Sequence, residues 1–192
     1  MSNHAVKLLG VDLVLRYISE VSEHYKVTVM SVGSGRGQIE AAAENVDWVC
    51  VDPDPTSFSK GELHRAPDYD YVDSAIKARP ELVGKCVVFL NWCPPNGDHR
   101  FDVEAIEKLK PLAVLSTYEI YFGLGGAAGS DDFHDWLDAV FEGKNDYQQV
   151  STTRLSDETL GRLDVRISWL HLRDRGPAPV TKLPRQVHAF GL

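Results

Sequence analysis

One stretch, residues 27–55 (VTVMSVGSGRGQIEAAAENVDWVCVDPDP), constrains the fold more than any other part of the chain. It opens with an apolar run over residues 27–32, which predicts a buried strand. Gly33, Gly35 and Gly37 follow at alternate positions. A helical pattern rich in Ala and Glu covers residues 38–45, and a second apolar strand, Trp48-Val49-Cys50-Val51, ends in Asp52. Glycine permits positive φ and lets a ligand approach the backbone closely. A turn that feeds a helix N-terminus presents unpaired N–H groups and the positive end of the helix dipole. A carboxylate at the tip of the neighbouring strand can accept hydrogen bonds from both hydroxyls of a ribose. The stretch therefore predicts a site for a nucleoside-containing cofactor.

The glycine spacing narrows the choice of cofactor. A dinucleotide-binding turn of the form G-x-G-x-x-G/A, counted from Gly33, needs Gly or Ala at position 38, and Gln38 stands there. That argues against a nicotinamide-dependent oxidoreductase, as does the lack of a second nucleotide-binding half. The G-x-G-x-G turn with Asp52 at the next strand end instead resembles motif I and the acidic strand end of class I S-adenosylmethionine-dependent methyltransferases. The resemblance implies S-adenosyl-L-methionine as cofactor. Gly33, Gly35 and Gly37 would pack beneath its methionine part, and Asp52, followed by Pro53, would hold the ribose. That family usually carries Asp or Glu two residues before the first glycine. Ser31 stands at that position and brings hydrogen-bonding capacity but no charge.

The 192 residues suffice for one domain with a substantial core. We expect a single methyltransferase-like domain over residues 1–175 and an extended tail over 176–192. No apolar run approaches the roughly 18 residues of a membrane span, and the N-terminus lacks a basic segment followed by an apolar block. With three cysteines, two in expected core strands and Cys93 in a turn, the chain fits a reducing compartment, and a cytoplasmic location is expected. The cysteines lack partners at zinc-ligand spacing, so no metal site is expected. The net charge of −8 lacks the broad basic footprint of a nucleic-acid binder, which shifts weight toward a small-molecule or protein acceptor without excluding a nucleic acid. No G-x-S-x-G elbow or Walker-type lysine is present.

Outside the glycine stretch the order is again that of an α/β protein. Residues 6–24 read as a helix. Residues 56–67 read as a helix turn or loop, and 67–73 as a short strand. The methyltransferase resemblance places the end of that strand near the adenine ring, with Asp73 and adjacent Ser74 as the contacts; a helix cap by Asp73 is the competing reading. Cys86-Val87-Val88-Phe89-Leu90 is a clear strand ending in Asn91-Trp92-Cys93-Pro94-Pro95-Asn96-Gly97. This end distantly resembles the Asn-Pro-Pro-aromatic motif of amino-directed methyltransferases, although Trp92 and Cys93 intervene. The resemblance implies a substrate-contacting role for Asn91 and places Asn91 and Trp92 beside the cofactor. The competing reading is a rigid Pro-Pro turn with Asn91 bonded to local backbone. A helix over 101–110, a strand over 112–117 ending at Tyr118-Glu119, a glycine-rich loop over 123–130 and a helix over 133–142 capped by Ser130-Asp131-Asp132 follow. Strands over 147–155 and 164–173, joined without a helix, form an antiparallel pair.

This order matches a Rossmann-like three-layer α/β/α sandwich: a mostly parallel seven-stranded sheet with an antiparallel C-terminal strand. The function expected is methyl transfer to an N or O acceptor that the sequence does not identify. An amine acceptor needs its lone pair free, which Asn91 could arrange; a hydroxyl needs a general base, for which Glu119, Asp98 and His99 are the nearest strand-end residues. The alternative is a non-catalytic module that keeps the fold and acts through a protein partner, or as a homodimer, by its tail. No membrane association is expected.

Overall fold

A computed structural model describes residues 11–57, 60–91, 93, 100–120, 128–154 and 164–183, with Glu119, Ile120 and Asp164 described by their backbone. The elements in chain order are α1 (Val11–Tyr25), β1 (Val29–Val32), α2 (Gln38–Ala42), β2 (Trp48–Val51), α3 (Val72–Ala78), β3 (Val87–Asn91), α4 (Phe101–Leu109), β4 (Ala113–Ile120), α5 (Asp131–Phe141), β5 (Tyr147–Arg154) and β6 (Asp164–Leu172). Six strands form one sheet in the order β2-β1-β3-β4-β6-β5. β2, β1, β3 and β4 run parallel, and β6 runs against both β4 and β5.

The apolar runs of β1, β3 and β4 are buried on both faces, as parallel strands must be when helices cover each side. Alternation sorts their side chains into two clusters. Met30, Val32, Val88, Leu90 and Val114 pack with α3, α4 and α5. Val29, Val87, Phe89, Ala113 and Leu115 pack with α1 and α2. The core is therefore two apolar layers separated by the sheet. α1 meets its layer through Val14, Tyr17, Ile18 and Val21, one stripe at helical spacing.

The expected seventh strand over residues 67–73 is absent among the described residues. What stands there is a single parallel bridge between Val51 and Tyr69. The reason is local. Pro67 has no N–H to give to a ladder, and the side chain of Asp68 takes the Cys50 N–H at 2.8 Å. A backbone carbonyl would otherwise occupy that ladder position, so pairing stops after one bridge. α3 then begins at Val72 with Tyr71 at its N-cap and no side-chain cap, so Asp73 does not cap it.

The tail beyond Arg175 lies on the domain as far as residue 183. Leu183 is buried in the α1 layer, and Glu20 of α1 accepts hydrogen bonds from the Thr181 hydroxyl and the Lys182 N–H. The remaining residues, 184–192, lie outside the described ones, as do residues 1–10. Among the described residues no helix is long and apolar enough to cross a membrane.

Candidate functional site

β1 lies one strand in from the sheet edge, beside β2 on one side and β3 on the other. Its carboxyl end is where an open α/β sheet leaves a crevice. The chain leaves β1 through Gly33, whose N–H bonds to the Val51 carbonyl at 2.9 Å. Gly33, Gly35 and Gly37 have φ of +73°, +54° and +69°. A path through three left-handed positions is open to glycine at little cost, which explains the residue choice.

The three glycines do different work. A Cβ on Gly33 would lie 3.7 Å from both Cys93 Sγ and the Phe101 ring, so that side of the turn is already packed. A Cβ on Gly37 would lie 2.3 Å from the Arg65 carbonyl oxygen. The segment around residues 60–65 therefore presses on the outer side of the turn. Arg36 holds it there, donating from Nε to the Glu62 carbonyl at 2.8 Å, while the His64 N–H returns a bond to the Arg36 carbonyl at 2.8 Å. A Cβ on Gly35 would meet nothing within 4 Å. The open side of the turn is thus over Gly35.

Asp52 faces the same place. Its Oδ2 accepts the Gly35 N–H at 2.7 Å and its Oδ1 accepts the Asp54 N–H at 2.8 Å. Two backbone donors fix the carboxylate while leaving lone pairs on each oxygen. Pro53 follows on the exposed side of the strand end. Ser31 is fully buried, and its hydroxyl donates to Glu40 Oε1 at 2.5 Å. Glu40 comes from α2, is 1 % exposed, and its Oε2 has no partner; the Ser34 hydroxyl in the same turn has none either. Burial pushes the Glu40 carboxyl above its ordinary range, against the weaker pull of the Ser31 bond.

Asn91 ends β3 opposite Thr117 of β4, and the Thr117 hydroxyl donates to Asn91 Oδ1 at 3.1 Å. The neighbouring strand, rather than local backbone, therefore orients the amide. Cys93 is buried, with its thiol against the Val32 carbonyl at 3.7 Å, and burial raises its pKa well above that of a free thiol. It seals the floor between β1 and β3. Asp73 projects from the first turn of α3 and pairs with Lys108 of α4 at 2.9 Å; Ser74 beside it is exposed. Asp73 is thus turned toward α4. The residues that leave the carboxyl end of the sheet at this point are Asp70 and Tyr71, directly after the bridged Tyr69, and both are exposed. The expected strand end at Asp73 lies past the single bridge, in the first turn of α3. Trp92, Asp98, His99 and the glycine loop up to residue 127 lie outside the described residues, and so does the side chain of Glu119, whose backbone pairs with Val165.

Two further functional candidates escaped the sequence reading. Glu40 sits in a helix of only five residues, too short to display a buried face by period. Asp102 resembles an ordinary first-turn acid of α4 but is 1 % exposed and binds Ser130 at the start of α5. Among the described residues no group of three or more His, Cys, Asp or Glu side chains could hold a metal.

No family model and no curated protein matches the sequence. Solved structures do match the fold. The methyltransferase domain of the bacterial CtHen1-C shares 12% identity at a TM-score of 0.53, over 87% of this chain and 98% of that one. Magnesium protoporphyrin IX methyltransferase from Synechocystis PCC 6803, solved with bound S-adenosylhomocysteine, shares 10% identity at a TM-score of 0.54, over 84% of this chain and 81% of that one. The small RNA methyltransferase HEN1 shares 10% identity at a TM-score of 0.51, over 88% of this chain and 25% of that one. With its glycine turn at the switch point of the sheet and its reversed C-terminal strand, the chain has the class I S-adenosylmethionine-dependent methyltransferase fold.

Proposed function

We propose that the protein is an S-adenosylmethionine-dependent methyltransferase acting on an N or O acceptor. The observation that carries the reading is the open space over Gly35 beside a carboxylate, Asp52, already oriented by the Gly35 N–H. The two buried, unpartnered polar atoms around that turn, Ser34 Oγ and Glu40 Oε2, fit a polar ligand seated there. Asp52 would accept from the ribose hydroxyls, the turn from Gly33 to Gly37 would carry the amino-acid part, and Asp70 and Tyr71 would flank the base. When bound, the cofactor supplies an electrophilic methyl group on a sulfonium. The chain's task is then to place a nucleophile in line with that methyl and exclude water, and positioning of this kind can lower a barrier by about 7–11 kcal/mol. Asn91, held by Thr117, would orient the acceptor at the end of β3; Glu119, Asp98 or His99 would serve as base for a hydroxyl acceptor.

Calorimetry with S-adenosylmethionine and S-adenosylhomocysteine tests the reading. We expect both to bind and Asp52→Ala to weaken both by about tenfold or more, the scale of lost hydrogen bonds to a charged group. No heat at millimolar ligand overturns it.

A second reading, a non-catalytic module of the same fold, is favoured by Ser31 in place of an acid. It predicts cofactor binding with no transfer of labelled methyl to any small-molecule, protein or nucleic-acid acceptor. A partner or second copy reached through the tail would engage residues 184–192, because Thr181 and Leu183 are committed to α1 and its layer.

A further inference from the structure

Among the described residues, four buried side-chain polar atoms lack a hydrogen-bond partner: Ser34 Oγ, Glu40 Oε2, Ser151 Oγ and Trp169 Nε1. Two belong to β5 and β6 at the far side of the sheet. The other two flank the glycine turn. An unsatisfied carboxyl oxygen in a protein interior is costly, and buried polar groups in native folds almost always find a partner. Glu40 departs from that rule with half of its carboxyl satisfied. Ser31 at the base of the turn donates to Oε1 at 2.5 Å, which fixes the group and leaves Oε2 as the free end. A serine in that place adds a donor and no charge, so the carboxyl reaching it from α2 is the acid of this part of the turn.

The surroundings select what Oε2 would receive. The charged and titratable groups that act on Glu40 are Asp52 at the end of β2, Arg65 from the segment over the turn, and Cys50 within β2. Arg65 is already engaged: its guanidinium contacts the Cys50 sulfur at 3.1 Å and the Asp68 carboxylate at 3.6 Å. Two carboxyls thus act on each other beside the turn, and the nearby cation is committed to Cys50 and Asp68, so a cationic donor is the ligand group that would complete the site. An amino-acid-bearing nucleoside brings one, its α-ammonium.

We propose that Glu40 of α2, and no residue of β1, is the carboxylate that receives the α-ammonium of a nucleoside cofactor seated on the glycine turn. The proposal rests on the cofactor reading given above and adds the residue that recognises the amino-acid end. Ser31 is then a positioning residue: it holds Oε1 so that Oε2 points at the ligand. Ser34 supplies a hydroxyl to the same end.

The test compares two ligands on the full chain by calorimetry. S-adenosylhomocysteine carries the ammonium; 5′-methylthioadenosine keeps the nucleoside and lacks the amino-acid part. We expect Glu40→Gln, which preserves shape and the bond from Ser31, to weaken S-adenosylhomocysteine by about 10- to 100-fold, the scale of a buried charge-assisted bond. It should leave 5′-methylthioadenosine binding and the melting temperature of the free protein unchanged or raised. If Glu40→Gln binds S-adenosylhomocysteine as tightly as the wild type, or weakens both ligands equally, the assignment of Glu40 is overturned while the cofactor reading stands. If the wild type binds neither ligand, the cofactor reading itself falls and the assignment with it.

Discussion

Asp102 in the first turn of α4 accepts two hydrogen bonds from Ser130, one from its N–H and one from its hydroxyl, each at 2.8 Å. The two residues lie 28 positions apart, and both are buried. The Ser130 hydroxyl also accepts the Phe133 N–H at 3.1 Å as the N-cap of α5. One carboxylate therefore ties the start of α4, which follows the β3 loop, to the start of α5, which follows the β4 loop. Asp102→Asn places an amide donor against a backbone donor in a dry site. It should cost about 2–4 kcal/mol in chemical denaturation, the scale of a broken buried polar network. Ser130→Ala keeps its N–H on Asp102 and loses the cap, so it should cost about 1–2 kcal/mol. The double variant should cost less than the sum, because each change breaks the same bond. Strict additivity would show that the clamp is not a unit.

Most of the architecture was legible because it is written in periods. The stripe of Val14, Tyr17, Ile18 and Val21 announces α1, and the apolar runs of β1, β2 and β3 announce the buried parallel strands. The failed strand at Tyr69 was not legible, because its fate depends on which acceptor takes the Cys50 N–H, a tertiary choice. Glu40 and Asp102 were illegible for a related reason. Each reads as a solvated acid in its own helix, and only the partner folded against it, Ser31 from β1 or Ser130 from another loop, reveals that it is buried. Asp52 and its glycines were readable since strand, turn and carboxylate are close in sequence. The open side over Gly35 was not, since it depends on where residues 60–65 come to rest.

That resting place separates two glycine substitutions. Alanine at either position 35 or 37 meets left-handed backbone, a strain of about 1–2 kcal/mol. At Gly37 the new methyl also meets the Arg65 backbone, whose oxygen lies 2.3 Å and whose nitrogen lies 2.9 Å away, so the segment must move off the turn. Gly37→Ala should lose about 2–4 kcal/mol of stability and open Lys60 and Arg65 to trypsin. At Gly35 nothing is in the way, so Gly35→Ala should lose only the strain. Its methyl would stand in the open space proposed to take the cofactor, and S-adenosylhomocysteine affinity should fall further than in Gly37→Ala. The reverse order in either measurement would mean that the hollow is not over Gly35.

The sheet carries a pH response away from the site, at His171 on β6. This ring is 3 % exposed and sits between two partners: the Tyr25 hydroxyl lies 2.7 Å from Nδ1, and the Gly176 carbonyl lies 3.3 Å from Nε2. A carbonyl only accepts, so Nε2 carries the hydrogen and Nδ1 receives the Tyr25 proton, which makes the neutral ring the one that both partners satisfy. Burial lowers the pKa of His171 from the ordinary 6.5; the Gly176 carbonyl and Asp174 oppose this, and His24 reinforces it. In the unfolded chain the ring takes up its proton near 6.5, and in the folded chain at lower pH, so between these values the unfolded state binds more protons. The His171 contribution is then fully present above 6.5 and is lost as pH falls through the folded pKa. Burial of Glu40 has the opposite sign, lowering stability as pH rises above its ordinary 4.5, so the net melting curve mixes the two. Nitrogen-resolved NMR of the His171 ring separates them. We expect the Nε2–H tautomer at pH 7 and a titration midpoint below 6.5. A midpoint at or above that value would show that the Tyr25 and Gly176 contacts do not hold the ring neutral.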